Sequence, residues 1–195
     1  MNDFADLILD IDALEEANRP FQADLPREFL DSVLLAEPPT EFHAAGAAHL
    51  DGRTTKMGRQ VLVQAKFTMP LTSPCKRCLE PVELSETVEL VRTFVPADQQ
   101  KPQKEHKGEE SEGSFVPELV DEETYQGKEL DLTPAVREQI LLSLPAAPLC
   151  SEDCKGLCPK CGKDLNDGEC GCDRAVLDPR WTALKGIQLE SKKEK

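Results

Sequence analysis

Polar and apolar residues alternate along much of the first half of the chain, and that period of two is the mark of half-buried strands. Leu7, Leu9 and Ile11 share one phase, with Asp6, Ile8, Asp10 and Asp12 in the other, which predicts a first strand. Residues 26–35, PREFLDSVLL, break the pattern and predict a short amphipathic helix opened by Pro26. In residues 42–50, Phe42, Ala44, Ala48 and Leu50 are in phase, with His43 and His49 on the other face. A turn near Lys56, Met57 and Gly58 leads into Val61, Val63, Ala65, Phe67, Met69 and Leu71, which alternate with Gln64, Lys66 and Thr68. Val82, Leu84, Val88, Leu90 and Phe94 give one more long strand over residues 82–95. The connection between these two strands is LTSPCKRCLEP, so Cys75 and Cys78 sit in it.

The second half reads differently. Residues 97–113 hold no large apolar side chain and predict a flexible linker. Apolar positions return at Phe115, Val116, Leu119, Val120 and Tyr125. Thr133 and Pro134 open a predicted helix, with Thr133 as its cap and Val136, Ile140 and Leu144 four apart beside Leu141. Pro145 and Pro148 end it and hand an extended segment to Cys150. A last short helix is predicted from Pro179 to about Ile187, offering Trp181 and Leu184 for docking, before a solvated tail.

These elements predict an α+β protein: a mostly antiparallel β meander, barrel- or sandwich-like, with a few short helices and a C-terminal zinc-binding lobe. The expected organisation is a β-rich domain over residues 1–148 containing the linker 97–113, a cysteine-rich lobe over 149–175, and a short helix with a charged tail over 176–195. The 195 residues suit one ordinary domain with an appendage. Aromatic residues are only 5%, so aliphatic side chains must fill the core. No run approaches the roughly 18 apolar residues of a membrane-spanning helix, and the acidic start does not resemble a secretory signal. The expectation is therefore a cytoplasmic protein with no membrane partner. The formal net charge of −14 opposes tight non-specific binding to nucleic acid and suits a basic protein partner better.

Eight cysteines in such a chain call for a metal before they call for disulfides. Cys158-x2-Cys161 and Cys170-x-Cys172 are two tight pairs separated by a short loop, the spacing that offers four thiolates to one tetrahedral zinc ion. Gly162, directly after Cys161, can take the positive φ that turns the chain back toward the metal. The remaining four, Cys75, Cys78, Cys150 and Cys154, can form a second site joining the strand connection to the end of the helix. Two other partitions stay open: Cys150, Cys154, Cys158 and Cys161 together, or a single site with spare thiols. One zinc ion is thus expected and a second is possible.

Catalysis finds little support. Cys75 and Cys78 have the spacing of a thiol-disulfide oxidoreductase, but the pair lies between strands, not at a helix start, where the helix dipole activates the thiol. No phosphate-binding glycine loop, nucleophile elbow or HExxH is present. His43 and His49 read as surface histidines, and the acidic run over 109–112 as solvated charge. A non-enzymatic role without a small-molecule substrate follows, with the oxidoreductase using Cys75 and Cys78 as the alternative; a zinc-ribbon transcription regulator is disfavoured by the acidity. Lys155, Lys160 and Lys163 in the cysteine-rich stretch are candidate contacts to RNA phosphate.

Four stretches resemble the YceD-type family, the large ribosomal RNA subunit accumulation proteins. They are CKRCLEP over 75–81, LDLTPxxRExILLxLP over 130–145, CKGLCPxCGxxLN over 154–166, and DPRWxxL over 178–184. The resemblance spans roughly residues 7–184; the charged linker 97–113 stands outside it. It implies a factor required for 23S rRNA to accumulate, through assembly of the large ribosomal subunit. The implied partners are a ribosomal protein or the pre-rRNA of that subunit.

Overall fold

A computed structural model describes residues 5–14, 18–99 and 122–173. In chain order its strands and helices are β1 (Ile8–Asp10), β2 (Arg19–Leu25), α1 (Arg27–Leu34), β3 (His43–Ala44), β4 (Ala48–Met57), β5 (Gln60–Pro74), β6 (Pro81–Pro96), β7 (Glu122–Tyr125), β8 (Glu129–Asp131) and α2 (Thr133–Ser143). One six-stranded sheet carries the body in the order β2-β4-β5-β6-β7, with β3 added to β5 beyond the end of β4. The pairs β2–β4, β3–β5, β4–β5 and β5–β6 are antiparallel, whereas β6–β7 is parallel. A separate two-stranded sheet joins β1 to β8 antiparallel.

The fold is therefore mixed α and β with mostly antiparallel strands, and it departs from the expected barrel or sandwich: the sheet stays open among the described residues. The parallel β7 also breaks the meander, because the chain leaves β6 and returns along it in the same direction.

The alternation along β5 is nearly complete. Val61, Val63, Phe67, Met69 and Leu71 are buried with Ala65 and Ser73, while the side chains between them reach the other face. Helices α1 and α2 close the apolar side with Phe29, Leu30, Val33, Leu34, Ala135, Val136 and Ile140. Leu7, Leu9 and Ile11 face this core from the first segment, where only residues 8–10 are strand and 3-10 turns flank them. Burial of one such aliphatic or aromatic side chain contributes about 1.5–3 kcal/mol, so this single contiguous cluster dominates the stability of the body.

Several sequence expectations are refined. Residues 42–50 form not one strand but two, β3 and β4, because the chain turns at 45–47, where the Ala45 N–H donates to Pro70 O at 2.9 Å. The β4–β5 hairpin closes on two residues, with Gly58 at φ 64 and Met57 opposite Gln60. Thr133 is not the cap of α2. It is the first helical residue, and its N–H donates to Asp131 Oδ1 at 2.9 Å, so the carboxylate two residues earlier does the capping work. Leu141 does not join Val136 and Ile140 inside: it is 44% exposed and Leu142 66%. Strand β2 carries the same alternation in Phe21, Ala23 and Leu25 but was not among the expected elements. The predicted helix 179–187 with Trp181 and Leu184, nearly all of the linker 97–113, His106 and the apolar residues 115–120 lie outside the described residues. No helix of the described residues is long and apolar enough to cross a membrane.

Candidate metal centre

The paired strands β5 and β6 run side by side from Val61–Phe94 to Pro74–Pro81, and their far end is a six-residue connection carrying Cys75 and Cys78. The loop is fixed by its own backbone. Cys75 N–H donates to Glu80 O at 2.8 Å and Leu79 N–H to Cys75 O at 3.0 Å, with Leu79 at a left-handed φ of 67. The segment after α2 is drawn onto this loop: Lys76 N–H donates to Pro148 O at 3.0 Å, which delivers Cys150 and Cys154.

There the sulfurs of Cys75, Cys78, Cys150 and Cys154 lie within 4.8 Å of one another. Cys75 Sγ is 3.8 Å from Cys154 Sγ, and Cys78 Sγ is 3.6 Å from Cys150 Sγ. A tetrahedron with metal–sulfur bonds near 2.3 Å has sulfur–sulfur edges of about 3.8 Å, so the four donors fit one tetrahedral ion. Cys75, Cys78 and Cys154 are buried with Val82, Leu149 and Leu157 in a small apolar cluster separate from the main core.

N–H groups point at these sulfurs, which suits thiolates. Arg77 N and Cys150 N donate to Cys75 Sγ at 3.4 and 3.5 Å, and Asn166 Nδ2 donates to Cys154 Sγ at 3.4 Å. The Cys75 thiol is lowered to about 6, chiefly by the Cys78 backbone N–H, and Cys154 is lowered chiefly by Asn166. Cys78 is pushed up to about 12: the Glu80 N–H favours its thiolate, but burial and the three neighbouring sulfurs outweigh it. Several thiols crowded together cannot all ionise without a cation, and a divalent ion at their centre removes that conflict.

The second cluster is local. Cys158, Cys161, Cys170 and Cys172 also bring their sulfurs within 4.8 Å of one another. Cys158 N–H donates to Lys163 O at 2.8 Å and Gly162 N–H to Cys158 O at 2.9 Å, a turn that needs the positive φ of 73 at Gly162. Gly171 takes the same conformation, also φ 73, between Cys170 and Cys172. Cys158 is buried, Cys170 and Cys172 are half-buried, and Cys161 is exposed. The Cys158 thiol falls to about 6, chiefly through the Cys161 backbone N–H, while Cys161 and Cys170 push Cys172 up to about 12.

Several contacts join the clusters. Gly156, at φ 71, lies so close to the hairpin that a Cβ there would be 2.8 Å from Arg77 O. Asn166, from the loop of the second cluster, accepts from Lys155 N–H at 2.8 Å through Oδ1 while its amide donates to Cys154 Sγ. Arg77 also donates to Glu152 O at 3.0 Å and Cys154 O at 2.8 Å. Neither Arg77 nor Asn166 was singled out in the sequence; their proximity to CxxC and to the lobe was the available signal.

The two clusters could thus each hold a metal ion. The grouping of Cys150, Cys154, Cys158 and Cys161 does not match the sulfur positions. The depressed Cys75 thiol sits in a hairpin loop with no exposure, not at a helix start. Lys155, Lys160 and Lys163 are all exposed around the second cluster, together with Glu152, Asp153, Asp167 and Glu169. His43 and His49 are on the polar side of the sheet, and His49 Nδ1 lies 2.7 Å from Asp24 Oδ1.

Comparison with known proteins bears out the resemblance to the YceD family. The family model described as large ribosomal RNA subunit accumulation protein YceD matches residues 63–188. The chain belongs to that family. An uncharacterised protein of Mycobacterium tuberculosis is 34% identical over 135 residues, covering 69% of this chain and 59% of the relative. The uncharacterised protein YlbN of Bacillus subtilis is 28% identical over 164 residues, covering 82% of this chain and 87% of that protein. A chloroplastic YCED homologue of Arabidopsis thaliana, named as a large ribosomal RNA subunit accumulation protein, is 33% identical over 61 residues, 31% of this chain and 19% of the plant protein. The chain spans about 59% of the length of the first mycobacterial relatives it matches. No solved structure matches it.

Proposed function

We propose, with membership of the YceD family as the premise, that this protein is a zinc-binding accessory factor for accumulation of 23S rRNA. It acts in the cytoplasm, without catalysis, by holding a component of the assembling large ribosomal subunit. The observation that supports this most is the pair of four-cysteine clusters. Cys158, Cys161, Cys170 and Cys172 would hold one zinc ion and Cys75, Cys78, Cys150 and Cys154 the other. All-sulfur sets of four favour zinc and leave no open coordination position for a substrate, which suits a structural site. With both clusters filled no free dithiol remains, so the oxidoreductase alternative loses its reactive pair. On this reading residues 1–148 are the binding body and 149–175 the metal lobe seated on it.

Electrostatics favour a protein component over RNA. Each divalent ion held by four thiolates carries a formal charge near −2, which moves the chain from −14 to about −18. Such a surface attracts the basic proteins that coat rRNA and repels phosphate. Direct RNA contact by Lys155, Lys160 and Lys163 is the second reading, favoured only by their shared exposure.

Elemental analysis and depletion together test the proposal. The purified chain should carry about two zinc ions, and Cys158→Ser/Cys161→Ser about one. Cells depleted of the protein should show a deficit of 23S rRNA and of large subunits on sucrose gradients, rescued by the intact gene. No zinc in the protein, or normal large subunits after depletion, would refute it.

A further inference from the structure

Residues 154–158 carry one cysteine of each cluster at their two ends, Cys154 of the first and Cys158 of the second. This short strip is bonded along both of its sides. Toward the β5–β6 hairpin, Leu157 N–H donates to Arg77 O at 3.0 Å, and Arg77 Nη1 donates to Cys154 O at 2.8 Å. Toward the loop between Cys161 and Cys170, Cys158 N–H donates to Lys163 O at 2.8 Å, and Gly156 O accepts from Leu165 N–H at 2.9 Å. Leu157 also bridges Asp164 in antiparallel fashion, and Leu165 is buried. The strip thus sits between the hairpin of one cluster and the loop of the other.

One side chain of that loop crosses to a sulfur of the first cluster. Asn166 stands between Cys161 and Cys170, and its own N–H donates to Asp164 Oδ1 at 2.8 Å, which turns the chain there. Its Oδ1 accepts from Lys155 N–H at 2.8 Å, and its Nδ2 donates to Cys154 Sγ at 3.4 Å. A group that donates to a ligating atom orients it for the metal, and losing such a group lowers metal affinity about 10–100-fold. Here the donor is delivered by the loop that the other four cysteines close.

We propose that the two clusters fill cooperatively: an ion held by Cys158, Cys161, Cys170 and Cys172 fixes the loop whose Asn166 positions Cys154 for the ion of the other cluster. The inference deepens the proposed zinc-binding role and rests on that reading of the clusters. An ion in the local cluster closes the loop, so the cost of ordering Asn166 is already met when the second ion binds. Linkage makes the effect reciprocal, because an ion in the first cluster holds Cys154 and Arg77 in place and tightens the local site by the same factor. Two filled all-thiolate clusters are both anionic, and their repulsion opposes the coupling. At physiological salt, screening over about 8 Å weakens that repulsion. Asn166 touches a sulfur and not the ion, so it is a positioning residue.

Zinc is withdrawn from the full-length, zinc-loaded protein by graded amounts of a chromophoric chelator at physiological salt. The parent gives the overall binding constant for two ions. Cys161→Ser/Cys172→Ser gives the constant of the first cluster alone, and Cys78→Ser/Cys150→Ser that of the second alone. The overall constant should exceed the product of the separate ones by about tenfold or more. Asn166→Asp keeps an acceptor for Lys155 N–H but sets a carboxylate oxygen against Cys154 Sγ. It should lower the overall constant by about tenfold or more and leave the second cluster alone within about threefold. Loaded with cadmium-113, the protein should show two NMR lines, and Asn166→Asp should move only the line that persists in Cys161→Ser/Cys172→Ser. If Cys78→Ser/Cys150→Ser does not fold, these lines decide: equal movement of both, or movement of the other alone, overturns the role of Asn166. An overall constant equal to the product overturns the coupling. So does an equal loss in Asn166→Asp with and without the first cluster, which would make Asn166 a brace of its own loop only. Two zinc ions bound independently would refute the coupling and leave the proposed function standing, whereas a parent without zinc refutes both. Normal large subunits after depletion, with the coupling intact, would refute the assembly role alone.

Discussion

Alanine at Gly156 should loosen the joint between the strand hairpin and the cysteine lobe more than alanine at an open glycine of that lobe. Gly156 has φ 71, and a methyl group there would stand 2.8 Å from Arg77 O and 3.2 Å from Arg77 Cβ. The left-handed conformation alone costs a non-glycine residue about 1–2 kcal/mol. The contact adds a second cost, because Arg77 O accepts from Leu157 N–H at 3.0 Å and cannot retreat without lengthening that bond. Losing a hydrogen bond of this kind costs about 0.5–1.5 kcal/mol, so Gly156→Ala should destabilise by about 2–3 kcal/mol. Gly162 provides the control, with φ 73 and nothing within 4 Å of an added Cβ, and Gly162→Ala should show only the conformational cost. Urea unfolding of the metal-loaded chain, followed by far-ultraviolet circular dichroism, measures both variants against the parent at a common slope. If Gly156→Ala is no more destabilised than Gly162→Ala, the close seating of the lobe on Arg77 is wrong.

Phe29→Ala should cost about 3–5 kcal/mol because its ring is wholly buried, whereas Leu142→Ala should stay within about 0.5 kcal/mol; thermal unfolding ranks the two. His49 should titrate above the ordinary histidine range, since the hydrogen bond its Nδ1–H donates to the Asp24 carboxylate favours its charged form. The small stabilisation this gives is present below the ordinary histidine pKa and is lost as pH rises through the raised folded value. An NMR titration should show the midpoint falling in Asp24→Asn, and an unmoved midpoint rules the pair out. A strong chelator should lower the melting temperature of the strand-rich body as well as freeing the lobe; an unchanged body transition counts against a metal shared between hairpin and lobe.

What the sequence made visible follows from the range of each interaction. The phases of β5 and the buried half of β6 are local patterns, and side chains from Val61 to Leu71 and from Val88 to Phe94 are buried as their alternation requires. The CxxC and CxC pairs are also local, and so is the turn at Gly162. Strand β2 alternates too, but Pro20 and the exposed Arg19 obscure the pattern of this seven-residue edge strand. The split at 45–47 and the parallel return of β7 depend on distant partners, Pro70 and Thr93–Pro96, and no local pattern encodes those. Residue type alone points to Thr133 as the cap. The neighbouring Asp131 is an equally good acceptor, and the chain uses it.

Metal ions in the two clusters would do different physical work although the donor sets match. Cys158 to Cys172 is a local loop, so a metal ion there would act first on its own short segment. Cys78 and Cys150 lie 72 residues apart, and a cross-link over that span removes about 4 kcal/mol of loop entropy from the unfolded chain on the usual relation. A metal ion in the first cluster would therefore act on the whole body, and the hairpin half of that cluster is held in place by β5–β6 pairing. Its other half is not independent of the local loop. Asn166, which belongs to that loop, ties Lys155 N–H and Cys154 Sγ together. Leu165 N–H reaches back to Gly156 O at 2.9 Å, beside the point where Gly156 touches Arg77. Order in the local loop thus bears directly on Cys154, a member of the long-range cluster.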